Sequence, residues 1–331
     1  MLLYSVLCLW LAKNAVMAQD VHFTQFFTTP MQTNPANTSM FDGNIRFASN
    51  YRNQWSAIGT PYNTLYASLD GSQNIFNQSF GLGCMIVRDQ TAYNLEANEV
   101  MLSLSYSKII NNQQFTIGIQ PGYAIKSYNY NSLYFGSQFD TGSEAYNSGL
   151  SSNENLGENI GYFDLNAGMF WRTVIQSVMP SVGFSVSHIL QPTVSYATSG
   201  STKLPMKFTL NSQVVIPLDD KIDLTPSLLW GYTTGVGETL LGCIEGYKIS
   251  NYRIPVQKIY AINMFRVNPF SNIDAFILGC GFKFRKFDIG LTYDYNISSL
   301  SGTSNFNGAY ELSIVYTGNR NKKRKEACDI Y

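Results

Sequence analysis

The chain has 331 residues and a formal net charge of zero, with charged residues at only 13%, about half the share usual in soluble domains, and aromatics at 14%. The neutral balance argues against a nucleic-acid partner, which calls for a basic face. No stretch after the N-terminus approaches the ~20 apolar residues of a spanning helix. Few charges, many aromatics and no membrane helix fit a barrel whose apolar residues fall at every second position.

Residues 1–18 read as a signal peptide. Leu2 to Leu11 is an apolar run without an acidic residue, and Val16-Met17-Ala18 supplies a cleavage site that leaves Gln19 first. The positive n-region is missing, since the first basic residue, Lys13, follows the apolar run; translation from an upstream start would explain it. Residues 19–43 carry Phe23, Phe26, Phe27, Pro30 and Pro35. They are too aromatic for a free tail and are expected to plug the lumen or pack on a periplasmic rim.

Period-2 alternation then predicts about 14 antiparallel strands within residues 44–317. They are 44–56, 62–73, 80–90, 97–110, 114–127, 160–173, 177–189, 206–218, 222–233, 238–250, 256–267, 273–284, 286–297 and 307–317. In 287–297, Phe287, Ile289, Leu291, Tyr293, Tyr295 and Ile297 oppose Asp288, Gly290, Thr292, Asp294 and Asn296. In 115–126, Phe115, Ile117, Ile119, Tyr123 and Ile125 oppose Thr116, Gly118, Gln120 and Gly122. Polar faces rich in Gly, Ser, Asn and Thr suit a crowded lumen better than open water. The segments 80–90, 238–250 and 256–267 alternate poorly, so the count could be off by two. The long connections 128–159 and 190–205 both follow odd-numbered strands, which places them outside if the N-terminus is periplasmic. The tail, 318–331, holds the mostly basic run Arg320 to Lys325 and is expected to be solvated.

Catalytic chemistry is sparse. Only two histidines occur, His22 and His188, and neither has a triad context. His188 has the parity of the apolar face holding Val182, Phe184 and Val186, so an interfacial or loop position is expected. No GxSxG, Walker loop, HExxH or dinucleotide fingerprint is present. Cys84, Cys243, Cys280 and Cys328 are far apart and fit neither a zinc site nor a disulfide framework. The polar-face charges Arg46, Arg52, Asp70, Asp164, Arg172, Asp288, Asp294 and Glu311 are of both signs, as paired charges filling a narrow lumen would be.

Several motifs, in order, resemble the PorP/SprF family of the Bacteroidetes type IX secretion and gliding machinery. They are Thr24-Gln25-Phe26, Asn34-Pro35-Ala36, Tyr51-Arg52-Asn53-Gln54-Trp55 with Pro61-Tyr62, Gly81-Leu82-Gly83, Gly122-Tyr123, and Leu133-Tyr134-Phe135-Gly136 with Asp140. His188 with Gln191-Pro192, then Leu204-Pro205, Pro226-Ser227-Leu228, Tyr293-Asp294-Tyr295 and Gly308 with Glu311-Leu312-Ser313 follow, and the basic end with Cys328 closes the series. Asn37-Thr38 replaces the family's small residues after Asn-Pro-Ala, and Asp329 replaces its proline after the final cysteine.

The resemblance implies a non-enzymatic outer-membrane component without cofactor, supporting export or surface attachment of large gliding-type adhesins through their C-terminal domains. Its partners would be membrane lipid, those domains and other type IX secretion components, with no small-molecule substrate. The competing readings are an outer-membrane transport channel for small or hydrophobic solutes and an outer-membrane hydrolase. The family-motif residues Gln25, Phe26, Asn34, Pro35, Tyr51, Arg52, Asn53, Gln54, Trp55, His188, Gln191 and Pro192 are the candidates for structural or partner-binding roles. In the first strand, Asn44, Arg46, Asn50, Arg52 and Gln54 share an inward parity, opposite Ile45, Phe47, Tyr51 and Trp55. Arg52 would then serve barrel closure, meeting a carboxylate such as Glu311, while the long outer loops are the better place for a partner.

Overall fold

The computed structural model describes residues 20–318 except 57–58, 76–77, 92–94, 130–134, 148, 153–158, 196–200, 250–254, 269–272, 299–300 and 305. The signal peptide expected over residues 1–18, the basic tail with Cys328, and Leu133-Tyr134 lie outside the described residues.

Fourteen antiparallel strands close into a barrel. They are β1 (Ile45–Gln54), β2 (Tyr62–Ile75), β3 (Gln78–Thr91), β4 (Leu95–Ile110), β5 (Gln113–Tyr128), β6 (Ile160–Thr173), β7 (Met179–Ser187), β8 (Lys207–Pro217), β9 (Ile222–Thr233), β10 (Val236–Lys248), β11 (Val256–Val267), β12 (Ile273–Phe284), β13 (Phe287–Asn296) and β14 (Asn307–Gly318). Each pairs with its chain neighbours, and β1 pairs with β14 from Ile45↔Gly318 to Gln54↔Ala309. Closure leaves no sheet edge, as lipid demands. Each predicted strand has its counterpart here.

The alternation sorts the side chains as expected. Leu102, Ile117, Phe163, Leu241 and Leu291 are half or more exposed on the outer wall, while Ser103, Ser105, Thr116, Gln120 and Thr292 are buried inside. An apolar band of this kind around every strand is the lipid-facing surface of a membrane barrel. Cys84 and Cys280 are free thiols on it. The poorly alternating strands have a physical cause. Met85 and Val87 on β3, Leu240 and Ile244 on β10, and Ile262 and Met264 on β11 are apolar yet face inward, where they meet apolar groups of the N-terminal segment.

That segment, residues 20–44, runs through the lumen. Asp20 lies at the end bearing the long connections (129–159, 188–206 and 297–306), beside His188 and Lys207. Asn44 lies at the short-turn end, its N–H donating to the Gly318 carbonyl at 2.9 Å. A single helical turn, Pro30–Thr33, and a 3-10 turn, Pro35–Asn37, occupy the middle. Proline opens each turn, where a missing N–H costs nothing.

Candidate functional site

Five contacts hold the segment, and they define the site. The first is a clamp at Thr24-Gln25. The Glu311 carboxylate, fully buried on β14, accepts the backbone N–H groups of Thr24 and Gln25 at 2.8 Å each. It also accepts Asn50 Nδ2 at 2.9 Å and Arg52 Nη1 at 3.1 Å from β1. Asp294 on β13 accepts Arg52 Nη2 at 2.9 Å and Arg266 Nη1 at 2.8 Å, and the Thr24 hydroxyl donates to it at 3.1 Å. Two guanidinium groups and two carboxylates thus neutralise one another beside the β1–β14 seam, the condition for burying charge. The second contact, beside the clamp, is apolar. Phe23 packs edge-on to Tyr66, and Phe26 sits among Leu240, Ile244, Ile262, Met264 and Ile277.

The third contact is the waist. Asn34 Oδ1 caps the 3-10 turn by accepting Ala36 N–H at 2.9 Å, and its Nδ2 donates to the Met169 and Phe184 carbonyls at 3.0 and 3.3 Å. The wall is notched to admit it. A Cβ on Gly118 would lie 2.5 Å from the Pro35 carbonyl carbon and from Ala36 N, and one on Gly168 would collide with Asn34 Oδ1. The fourth contact is at the short-turn end, where Asp70 accepts Arg46 Nη2 and Ser39 N–H at 2.7 Å each.

The leading end is latched separately. His188 Nδ1 lies 2.5 Å from Asp164 Oδ2 and Nε2 lies 3.1 Å from Asp20 Oδ2, with Lys207 Nζ at 3.6 Å from Asp20. A neutral imidazole donates only once, so a ring between two carboxylates is the cation. Burial would lower the His188 pKa, but Asp20 and Asp164 raise it to about 10. Burial likewise would raise Asp20, but His188 and Lys207 hold it well below the usual carboxylate range. His22 lines the cavity described below, its Nδ1 3.8 Å from Glu238 Oε2.

Beside the segment, a cavity of about 370 Å³ opens at the long-connection end. Phe23, Phe26, Trp55, Lys207, Glu238 and Asp274 are among the groups that line it. Among the described residues no three His, Cys, Asp or Glu groups converge as a metal site.

Of the family-motif residues, Gln25 and Arg52 meet in the clamp. Phe26 anchors the apolar contact, and Asn34 with Pro35 forms the waist. Gln54 accepts from Arg52 Nη2 at 3.5 Å and lines the cavity. Tyr51 and Asn53 stand on the outer parity, both donating to Asn63 Oδ1, at 2.8 and 2.7 Å. Two orientations differ from the parity reading. Trp55 turns to line the cavity and packs on Tyr62, and His188 turns into the lumen instead of facing the membrane interface. Both have left-handed backbones, φ 61° and 58°, and a left-handed residue at a strand end breaks the two-residue period. Gln191 and Pro192 stay apart from both clusters. They shape the connection after β7, where Gln191 N–H donates to the His188 carbonyl at 3.0 Å. Arg266, Asp20 and Lys207 are the members that parity did not single out. Arg266 sits in the weakly alternating β11, and nothing local in the sequence ties Asp20 to residue 188.

The fold is similar to that of CymD, a monoaromatic hydrocarbon channel, with a TM-score of 0.52, 8% identity and coverage of 88% of this chain and 93% of that one. A Pseudomonas aeruginosa FadL homologue is similar too, with a TM-score of 0.50, 12% identity and coverage of 86% and 92%. At such identity the likeness is one of fold alone. Comparison with curated protein sequences gives no match. The family described as type IX secretion system membrane protein PorP/SprF matches residues 15–316, nearly the whole length of the chain. The motif order, the closed membrane barrel and this match agree, and the chain belongs to the PorP/SprF family of type IX secretion system membrane proteins, a non-enzymatic component of that system.

Proposed function

We propose that this protein is a sealed outer-membrane component of type IX secretion that supports export or surface attachment of large adhesins, engaging their C-terminal domains from its long-connection face. The observation that carries this reading is the filled lumen. Residues 23–38 are largely buried against the wall, held by the clamp, waist and short-turn contacts, and occupy the lumen that a passing polypeptide would need. A barrel so filled acts through its ends. The signal peptide supports export, and the uneven connection lengths support the long-connection end facing outward and the short turns facing the periplasm. Adhesin recognition then falls to segments such as 129–159 and 188–206, because loops on a rigid scaffold carry recognition. Deletion of the gene should remove the cognate adhesin from the cell surface, read by surface labelling and by the secreted protein profile. Normal surface adhesin in the deletion strain would contradict the reading.

A second reading, a channel for small or hydrophobic solutes, draws on the fold likeness and the open cavity. The cavity's charged lining, with Asp20, Lys207, Glu238 and Arg266, is poorly matched to a hydrocarbon.

A further inference from the structure

The cavity beside the N-terminal segment holds two carboxylates that the protein leaves without a counter-charge. Glu238 on β10 has the inward parity of Leu240 and Ile244. Asp274 on β12 would face outward by alternation, since Ala275 and Ile277 are buried inside. However, β11 and β12 pair Arg266↔Ala275 and then Val267↔Ile273, so Asp274 is the extra residue of a bulge, and it lines the cavity. Bulges at barrel rims re-aim side chains in this way. A second bulge, at Gly308 between Asp294↔Ala309 and Tyr295↔Asn307, borders the same cavity, as does the left-handed Trp55, whose N–H donates to the Gly308 carbonyl at 2.9 Å. The cations whose fields reach the two acids are Arg52, Arg266 and Lys207. Each is in contact with another carboxylate: Arg52 with Asp294 and Glu311, Arg266 with Asp294, and Lys207 with Asp20. The clamp closes at zero charge, and so does the latch of His188 and Lys207 with Asp20 and Asp164. Glu238 and Asp274 are left over, near enough to repel one another. His22 Nδ1, 3.8 Å from Glu238, is beyond hydrogen-bond reach, and a protonated ring there would still leave one charge unmatched. Thr209 on β8, only 7% exposed, lines the cavity too, and no described residue hydrogen-bonds to its hydroxyl. Buried polar side chains normally have partners, and an exception points to a bound group.

The rest of the wall includes Phe23, Trp55, Leu229 and Tyr232, and the volume of about 370 Å³ lies in the range of small-molecule sites. Aromatic faces attract cations as carboxylates do. A hydrocarbon or an anion would leave both carboxylates unanswered, and a metal ion would leave most of the volume and its apolar wall unused. We propose that this cavity binds a small organic cation, an ammonium or guanidinium group on a short apolar stem. Glu238 and Asp274 take the charge, the Thr209 hydroxyl accepts an N–H, and Trp55 and Tyr232 provide a surface for the stem. The site requires neither the export role nor the outward orientation proposed above. The cation has two sources, a free amine or a basic side chain of a polypeptide that reaches the long-connection end.

Calorimetric titration of the purified full-length protein in maltoside detergent tests this with 1,5-diaminopentane, whose two ammonium groups match the two charges. The diamine should bind, and its binding should weaken with added salt. Pentane-1,5-diol, the same stem without charge, should not bind. Glu238→Gln and Asp274→Asn should each weaken the diamine about tenfold or more, and Thr209→Val about fivefold. Each carboxylate variant removes one of two like charges, so its thermal midpoint should not fall below that of the wild type, which separates lost binding from unfolding. Asp140→Asn makes the same charge change on an exposed connection at the same end and should bind as the wild type does. A capped lysine, N-acetyl-lysine methylamide, distinguishes the sources: tighter binding than the diamine supports a polypeptide side chain, weaker or none a free amine. No binding of either probe would overturn the proposal. Equal binding of the diol, equal loss in Asp140→Asn, or displacement of the diamine by calcium chloride at matched ionic strength would overturn it too.

Discussion

Replacing Glu311 by alanine should destabilise the barrel by roughly 3–5 kcal/mol, the usual cost of leaving a buried charge without its partner. Glu311 carries four donors at once: two consecutive backbone N–H groups of the plug, Asn50 and Arg52. Its removal leaves Arg52 and Arg266 with Asp294 as their one direct ion-pair partner among the described residues, Glu238 acting from farther off, and orphans two amides of the plug. Glu311→Gln keeps the shape and one acceptor oxygen but loses the charge, so it should fall between the two. Ser313→Ala removes a single neutral bond to Gln25 at 2.8 Å and should cost only about 1 kcal/mol. Thermal unfolding in detergent ranks the three variants. A Glu311→Ala midpoint equal to that of the wild type would show that the clamp does not hold the plug.

Gly118→Val should force the waist of the plug off the wall. The new Cβ would sit 2.5 Å from plug backbone, at Pro35 and Ala36, and backbone cannot swing aside as a flexible side chain does. Overpacking a tight core costs typically 1–3 kcal/mol, and here the easier relief is for residues 34–38 to leave. Those amides should then exchange with solvent far faster than in the wild type, while the strand amides stay protected. Gly231→Ala is the matched control, because the nearest atom to its Cβ is Lys207 Cε at 3.9 Å. Unchanged protection of residues 34–38 in Gly118→Val would mean that the close approach is not a constraint.

Much of this architecture is legible in alternation alone. A lipid-facing wall must be apolar at every second residue, so β5 and β13 announce themselves. Where the pattern blurs, at β3, β10 and β11, the inner face is apolar because it packs on the plug's phenylalanines and Met31. That blur was a signal of the plug rather than noise. Arg52 facing Glu311 follows from inward parity and from the need to close β1 on β14. The rest depends on distant neighbours. Nothing local tells that Trp55 and His188 reverse direction, since a left-handed residue leaves no periodic trace. Nor does spacing show that Asp20 crosses the lumen to His188, because the plug's path is set by side-chain contacts and not by a repeat.

Single-protein conductance in a planar bilayer tests most directly whether the N-terminal segment seals the barrel, comparing the intact protein with a variant lacking residues 20–40. The intact protein should be electrically silent, and the shortened one should give stable open steps. Equal conductance from both would contradict the account.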